Sequence, residues 1–290
     1  MNNIPETELI LNNDGSVYHL NLLPEDISDI ILHVGDPDRV QMVASFFQKI
    51  EVKKQKREFI TMTGRYNGKR ITVISTGIGT DNIDIVYNEL DALVNINLKT
   101  REIKQTSTAL KLIRIGTSGS LQEEIAPDAF VFSKFGLGLD GLLHYYKLKN
   151  TDEEKDIIES FRKSYSAFNT LPLPYLSSCS EKLEKKISDG MYKGITVSCP
   201  GFYAPQGRQL RYELMYPQLI DRLTLFEHNK HKITNFEMET SAMYGLASIL
   251  GHQCCSVNLV VANRITKQYS TNHEQAMMDL IALTLDRLTA

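Results

Sequence analysis

The sequence predicts a mixed α/β fold, a sheet flanked by helices, on three observations. Short apolar runs of strand character alternate with segments whose apolar residues recur at helical spacing. Several of the runs end in glycine-rich turns, near Gly35, Gly77-Ile78-Gly79 and Gly116-Thr117-Ser118-Gly119. One pair of runs flanks Asn67-Gly68, the dipeptide that closes tight antiparallel hairpins.

Taken in order, MNNIPETELILNND shows no basic stretch followed by an apolar one. Residues 1–18 are expected to be a flexible segment ahead of one domain covering 1–290. Asp29–Val34 reads as a strand closed by Pro37, and Asp36 can cap a helix from Asp38 through Val40, Val43, Ala44 and Phe47. The basic cluster at 53–57 reads as a solvated turn. The hairpin follows, with strands at 57–66 and 70–75. A helix then carries Ile83, Val86, Tyr87, Leu90, Leu93 and Val94 on one face. The polar residues 99–109 form a surface excursion. Lys111-Leu112-Ile113-Arg114-Ile115 reads as a buried strand, and Gly116 to Ser120 as a loop at its carboxyl end. Ala129–Phe132 continues the sheet, and the glycines of 135–141 mark a flexible stretch. Helices are expected at 152–165 and 179–189, and a strand at 195–198. A helix through Ala242, Met243, Leu246, Ala247 and Leu250 precedes a strand at 254–262, and a last helix occupies 272–288.

Composition excludes several classes of function. Of 290 residues, 42% are hydrophobic and the formal net charge is -3, so a large core is affordable and no basic surplus serves a nucleic acid. No run reaches the ~18 apolar residues that cross a bilayer, so no membrane partner is expected and the cytoplasm is the expected compartment. Cys179, Cys199, Cys254 and Cys255 form no C-x-x-C pair, and His228, His231 and His273 have no thiol neighbours. Reduced, buried thiols and no zinc site follow.

Four places carry chemistry. Gly35 with Arg39 one turn into a helix can hold an anion, or can be a plain strand–turn–helix with a surface cation. Arg114 inside an apolar strand needs an anionic partner, which is either a structural carboxylate or a ligand. Phe202-Tyr203-Ala204-Pro205-Gln206-Gly207-Arg208 joins aromatics to an amide and a guanidinium, a set that suits a flat heterocycle, or is a plain Pro/Gly loop with buried aromatics and exposed polar tips, the reading favoured on this segment alone. Glu237 and Glu239 precede a helix, where both can favour its positive end, or Glu239 can face a ligand hydroxyl with Met238 as floor.

The ordered series GDPDR, REF, STGIG, RIGTSG, FYAPQGR, FEMET and VVANR resembles the nucleoside phosphorylases of the hexameric, trimeric-disc family, and within it the uridine phosphorylases. The resemblance runs from about His19 to Arg264 and implies a partly barrel-like sheet. It implies a phosphate site of Gly35, Arg39, Arg114 and Thr117, with Arg57 donated by a neighbouring subunit. Ribose would meet Met238, Glu239 and Thr117, with the neighbour's equivalent of His19 at the 5′-hydroxyl. Uracil would meet Gln206 and Arg208, with Phe202 stacking near the base, Val261 and Ala262 as apolar wall and Arg264 in support. Glu58, Ile78 and Asn82 map to a potassium site of some members, although the family's small residues are here Thr80-Asp81-Asn82. No organic cofactor is implied, inorganic phosphate is the co-substrate, and the active unit is a homodimer within an expected hexamer.

The implied reaction is phosphorolysis of uridine to uracil and ribose 1-phosphate, with catalysis by Arg114, Glu239, Gln206 and Arg208 and a place in pyrimidine salvage. Guanidiniums would orient phosphate against C1′. Gln206 and Arg208 would stabilise negative charge on the departing uracil. Purine-specific relatives carry an Asp near the Asn263 position, so the resemblance favours uridine over inosine and leaves deoxyuridine open. Three other readings stand beside it: a purine phosphorylase, a hydrolytic nucleosidase of the same fold, and a non-catalytic nucleoside-binding protein.

Overall fold

The computed structural model describes residues 3–166 and 168–290. In chain order its elements begin β1 (Ile30–Val34), α1 (Pro37–Ala44), β2 (Lys49–Lys56), β3 (Phe59–Tyr66), β4 (Lys69–Ser75) and α2 (Thr80–Asn95). A small ribbon of β5 (Ile96–Asn97) and β6 (Glu102–Ile103) leads to β7 (Lys111–Ser120), β8 (Phe130–Gly138), α3 (Asp152–Tyr165) and β9 (Tyr175–Ser178). Then come α4 (Glu181–Ile187), β10 (Tyr192–Ser198), α5 (Leu219–Leu225), β11 (Glu227–His228), β12 (His231–Glu237) and α6 (Thr240–Leu250). The chain ends with β13 (Gln253–Asn263), β14 (Gln268–Tyr269) and α7 (His273–Thr289).

The expected mixed sheet is present, and part of it closes on itself. β7 pairs with β13, β13 with β8, β8 with β10, β10 with β12, and β12 returns to β7. These five strands form a small barrel. A wing of β1, β4, β3 and β2 extends from the outer edge of β7. The expected hairpin across Asn67-Gly68 is β3–β4, and Asn67 and Gly68 both take the positive φ that such a turn requires.

Three segments differ from the sequence expectation, each for a tertiary reason. Residues 116–120 are strand, because β13 pairs with β7 as far as Ser120 and β12 pairs with Gly119 and Ser120 from the other side. Residues 135–138 belong to β8, and their glycines serve close approach: a Cβ on Gly136 would lie 2.8 Å from the Ser241 Cα, and one on Gly138 would lie 2.1 Å from the Tyr175 ring. The basic cluster at 53–57 lies mostly in β2, at the edge of the wing, where charged side chains discourage further strand pairing.

The stretch expected to be flexible at 1–18 is tied down in part, while Met1 and Asn2 lie outside the described residues. Leu11 and Val17 form an isolated bridge, and Val17 is fully buried. Lys56 Nζ donates to Asn12 Oδ1 at 2.8 Å and sits 4.3 Å from the centre of the Tyr18 ring. Glu89, on α2, accepts from the backbone N–H groups of His19 and Leu20 at 2.9 and 2.8 Å, and its carboxylate lies 2.6 Å from His19 Nδ1. All four cysteines are buried and free. No helix among the described residues is long and apolar enough to cross a membrane. Replacing Glu89 by Ala strands two backbone donors and should lower unfolding free energy by about 2–3 kcal/mol in denaturant titration; an unchanged midpoint would show that the segment is not anchored there.

Candidate active site

β1, β4 and β7 run parallel and side by side, so their carboxyl-side residues and those of the barrel share one crevice, the usual ligand position in such sheets. A cavity of about 720 Å³ opens there. Gly35, Arg39, Arg114 and Thr117 line it, as do Met238 and Glu239. So do Phe202, Gln206, Arg208, Val261 and Ala262. Fold closure thus brings together residues more than two hundred positions apart.

Arg114 is the organising group. Its Nη2 donates to Glu239 Oε2 at 2.6 Å and lies 3.2 Å from Glu237 Oε2, and its Nη1 donates to Asn258 Oδ1 at 2.6 Å. Burial opposes the guanidinium charge, but the Glu237 and Glu239 carboxylates outweigh it and hold the pKa above the ordinary arginine value. The guanidinium folds back over Gly116, where a Cβ would stand 1.7 Å from Nη1. That glycine makes room for a cation.

The two carboxylates divide the roles that the sequence left open. Glu237 caps α6: it accepts from the N–H of Thr240 at 3.0 Å and of Glu239 at 2.9 Å, and from Ser198 Oγ at 2.7 Å. Glu239 instead faces the cavity and reaches across to Gly79, whose N–H donates to Oε1 at 2.8 Å. The STGIG turn therefore holds a carboxylate. Burial raises the Glu239 pKa, opposed by Arg114 and reinforced by Glu237. Sequence reasoning weighed Glu237 only as a helix-end charge, and it missed Asn258 altogether, because a lone Asn in an apolar run has no local signature.

Arg39 contrasts with Arg114. It projects from α1 into the same cavity, and among the described residues its guanidinium makes no hydrogen bond or ion pair. Burial, and then repulsion from Arg114, hold its pKa below the ordinary value. A half-buried cation in that condition is stabilised by an incoming anion.

Gln206, in the same cavity, is 2% exposed. Arg208 Nη1 donates to its Oε1 and to the Phe202 carbonyl, at 2.5 and 2.7 Å. This fixes the Gln206 oxygen on Arg208. The guanidinium of Arg208 lies 3.7 Å from the centre of the Phe202 ring, so one face of that ring carries Arg208, and Phe236 supplies further aromatic lining. Arg264 does not line the cavity; its Nη1 donates to the Gln206 carbonyl at 3.0 Å. Asn263 also points elsewhere, donating to the carbonyls of Gln122 and Ile125 and accepting from the N–H of Ile265 and Thr266.

His19 and Arg57 lie outside their own chain's cavity. Glu58, Ile78 and Asn82 do line it. There the Asn82 amide donates to Glu58 Oε1 at 3.3 Å, and a Cβ on Gly77 would lie 2.4 Å from that nitrogen. In this single chain a hydrogen-bond donor therefore meets the Glu58 carboxylate.

The barrel-closed sheet and the likeness to known proteins together make the chain a nucleoside phosphorylase, a pentosyltransferase. A family model described as the Phosphorylase superfamily matches residues 29–289, and the chain belongs to that family. The chain is 30% identical over 278 residues to a uridine phosphorylase of Thermococcus kodakarensis, covering 93% of this chain and 84% of that protein. It is 26% identical to a DeoD-type purine nucleoside phosphorylase of Buchnera aphidicola, over 93% of this chain and 98% of that protein. Among solved structures, a Trypanosoma brucei nucleoside phosphorylase described as showing uridine phosphorylase activity superposes with a TM-score of 0.86 at 28% identity, covering 97% and 99% of the two chains.

Gly116→Ala should expel the Arg114 guanidinium from its position. We expect the variant to lose most of the rise in Tm that phosphate confers on the native protein by mass action; an undiminished rise in differential scanning fluorimetry would remove Arg114 from the anion site.

Proposed function

We propose that the chain catalyses phosphorolysis of uridine to uracil and ribose 1-phosphate. The observation that carries this reading is that one cavity is lined both by Arg39, which has no hydrogen bond or ion pair among the described residues and lies near Arg114, and by the Gln206–Arg208 donor set. Phosphate would bind Arg39, Arg114, Gly35 and Thr117. Arg114 has five donors, and its bonds to Glu239 and Asn258 leave further N–H groups for the anion. Glu239, with Met238 beneath, would accept from the ribose hydroxyls and stabilise developing positive charge at the sugar as the glycosidic bond loosens. The electron pair leaves with the base, and Gln206 with Arg208 would stabilise the uracil anion; one such preorganised donor is worth ~3–4 kcal/mol in the transition state.

The lining of the base end favours uracil over a purine. Phe202, Gln206, Arg208, Val261 and Ala262 bring no carboxyl group to the base end that would protonate a purine nitrogen. Asn263 is committed to the backbone of 122–125 and 265–266, so the Asp-for-Asn argument carries less than the sequence suggested and the lining carries more. The phosphate-seeking Arg39 speaks against a hydrolase. The positions of Arg57, exposed at the β2–β3 turn, and of His19 outside their own cavity support a shared site in which a second copy completes each cavity, and so a homodimer as the minimal unit within a hexamer.

Release of base from uridine, deoxyuridine, thymidine and inosine with and without phosphate tests the reading. Uridine should be cleaved fastest and only with phosphate; faster cleavage of inosine would transfer the protein to the purine class, and phosphate-independent cleavage to the nucleosidases. A pH prediction follows from Glu239, which must be ionised to accept the ribose hydroxyls. Its pKa is raised by burial, so kcat at saturating phosphate should fall on acidification at a pH above the ordinary carboxylate range. The buried His33, pushed down to about 3, remains neutral there and does not supply this limb. Glu239→Gln should depress kcat about 10²-fold or more and remove that acid limb; a persisting limb would assign it to another group.

A further inference from the structure

The barrel interior carries a polar chain that the reaction scheme does not use. Asn258, fully buried on β13, receives the Arg114 guanidinium on its Oδ1 at 2.6 Å. Its Nδ2 donates to Ser133 Oγ on β8 at 3.0 Å and lies 3.2 Å from Ser256 Oγ. Ser133 Oγ meets Thr196 Oγ1 on β10 at 2.5 Å, Thr196 donates to Asn235 Oδ1 on β12 at 2.7 Å, and Asn235 Nδ2 donates to Ser118 Oγ on β7 at 2.9 Å. One residue from each of the five barrel strands takes part, and Ser133, Thr196, Asn235 and Asn258 are all 0% exposed.

With the Asn235 oxygen toward Thr196 and its nitrogen toward Ser118, the protons run one way. Thr196 spends its proton on the Asn235 oxygen, so Ser133 must donate to Thr196 and can only accept from Asn258. That directs the Asn258 nitrogen at Ser133 and its oxygen at Arg114. Arg114 has donors only and imposes the same orientation from the other end. A turned amide would place N–H against a guanidinium and leave buried donors without partners.

We propose that Asn258 is a positioning residue for Arg114, its amide orientation fixed by this one-way chain around the barrel. Glu237 and Glu239 both engage Nη2, so Asn258 is the group that holds Nη1 and with it the rotation of the guanidinium plane. Phosphate would read that plane, so the kinetic half of the proposal rests on the phosphorolytic reading, while its geometric half does not.

Asn258→Leu, close to Asn in shape and without an acceptor, and Asn258→Asp, which keeps one, test it together. The crystal structure of N258L should show the Arg114 guanidinium rotated or displaced, and that of N258D should show it returned. In active enzyme, N258L should raise the phosphate KM about 10- to 100-fold and leave the nucleoside KM within about 3-fold. A role confined to folding would lower Tm and leave the ratio of the two KM values unmoved, and that result overturns the proposal. An unmoved guanidinium in N258L overturns it as well. If the native enzyme proves inactive with phosphate, the functional reading fails, and the position of Arg114 in N258L still decides the role of Asn258.

Discussion

A buried cation inside a β-strand is the constraint on which the rest of this structure depends. Taking the Arg114 guanidinium out of water costs several kcal/mol, and only close, well-bonded counter-charges offset it. Here they come from the end of β12 and the start of α6, as Glu237 and Glu239. β12 reaches Arg114 because it pairs antiparallel with the far end of β7, the contact that also closes the barrel. Barrel closure and charge neutralisation are therefore one event. The same cluster caps α6 and, through Glu239 and Gly79, ties the start of α2 to the site.

Glycine is used mainly as empty space in this fold. Gly116 clears the volume into which Arg114 folds, Gly136 admits the amino end of α6, and Gly138 admits the Tyr175 ring. Each lies in a strand, and each reads locally as a loop or a flexible joint. The cost is a strand interior with fewer packing side chains, and the pairing of β7 and β8 on both sides compensates for it.

The cavity holds its cations in two physically different states. Among the described residues Arg39 is half-buried without a partner, a state that an anion relieves, whereas Arg208 is already stacked on Phe202 and bonded to Gln206, a state that preserves a geometry. Glu239 is held in the same cavity by Gly79 and Arg114. Preorganisation of this kind lets the site act on charge as it develops without first rearranging.

Local chemistry alone settled more of this protein than the fold class. Periodicity placed α2, the Asn67-Gly68 hairpin and the apolar cores of β1, β7 and β13, because these depend on neighbours in the chain. The ordered motifs located Arg39, Arg114, Gln206, Arg208 and Glu239, and the cavity gathers all of them. Three features became clear only in the folded molecule. Residues 116–120 form strand because two distant partners pair with them; Glu237 and Asn258 hold Arg114 although 123 and 144 positions separate them from it; and Asn263 turns away from the cavity to secure two loops. All three are long-range contacts, and their energies depend on which groups closure of the barrel brings within hydrogen-bonding distance. No local pattern of residue types encodes that proximity.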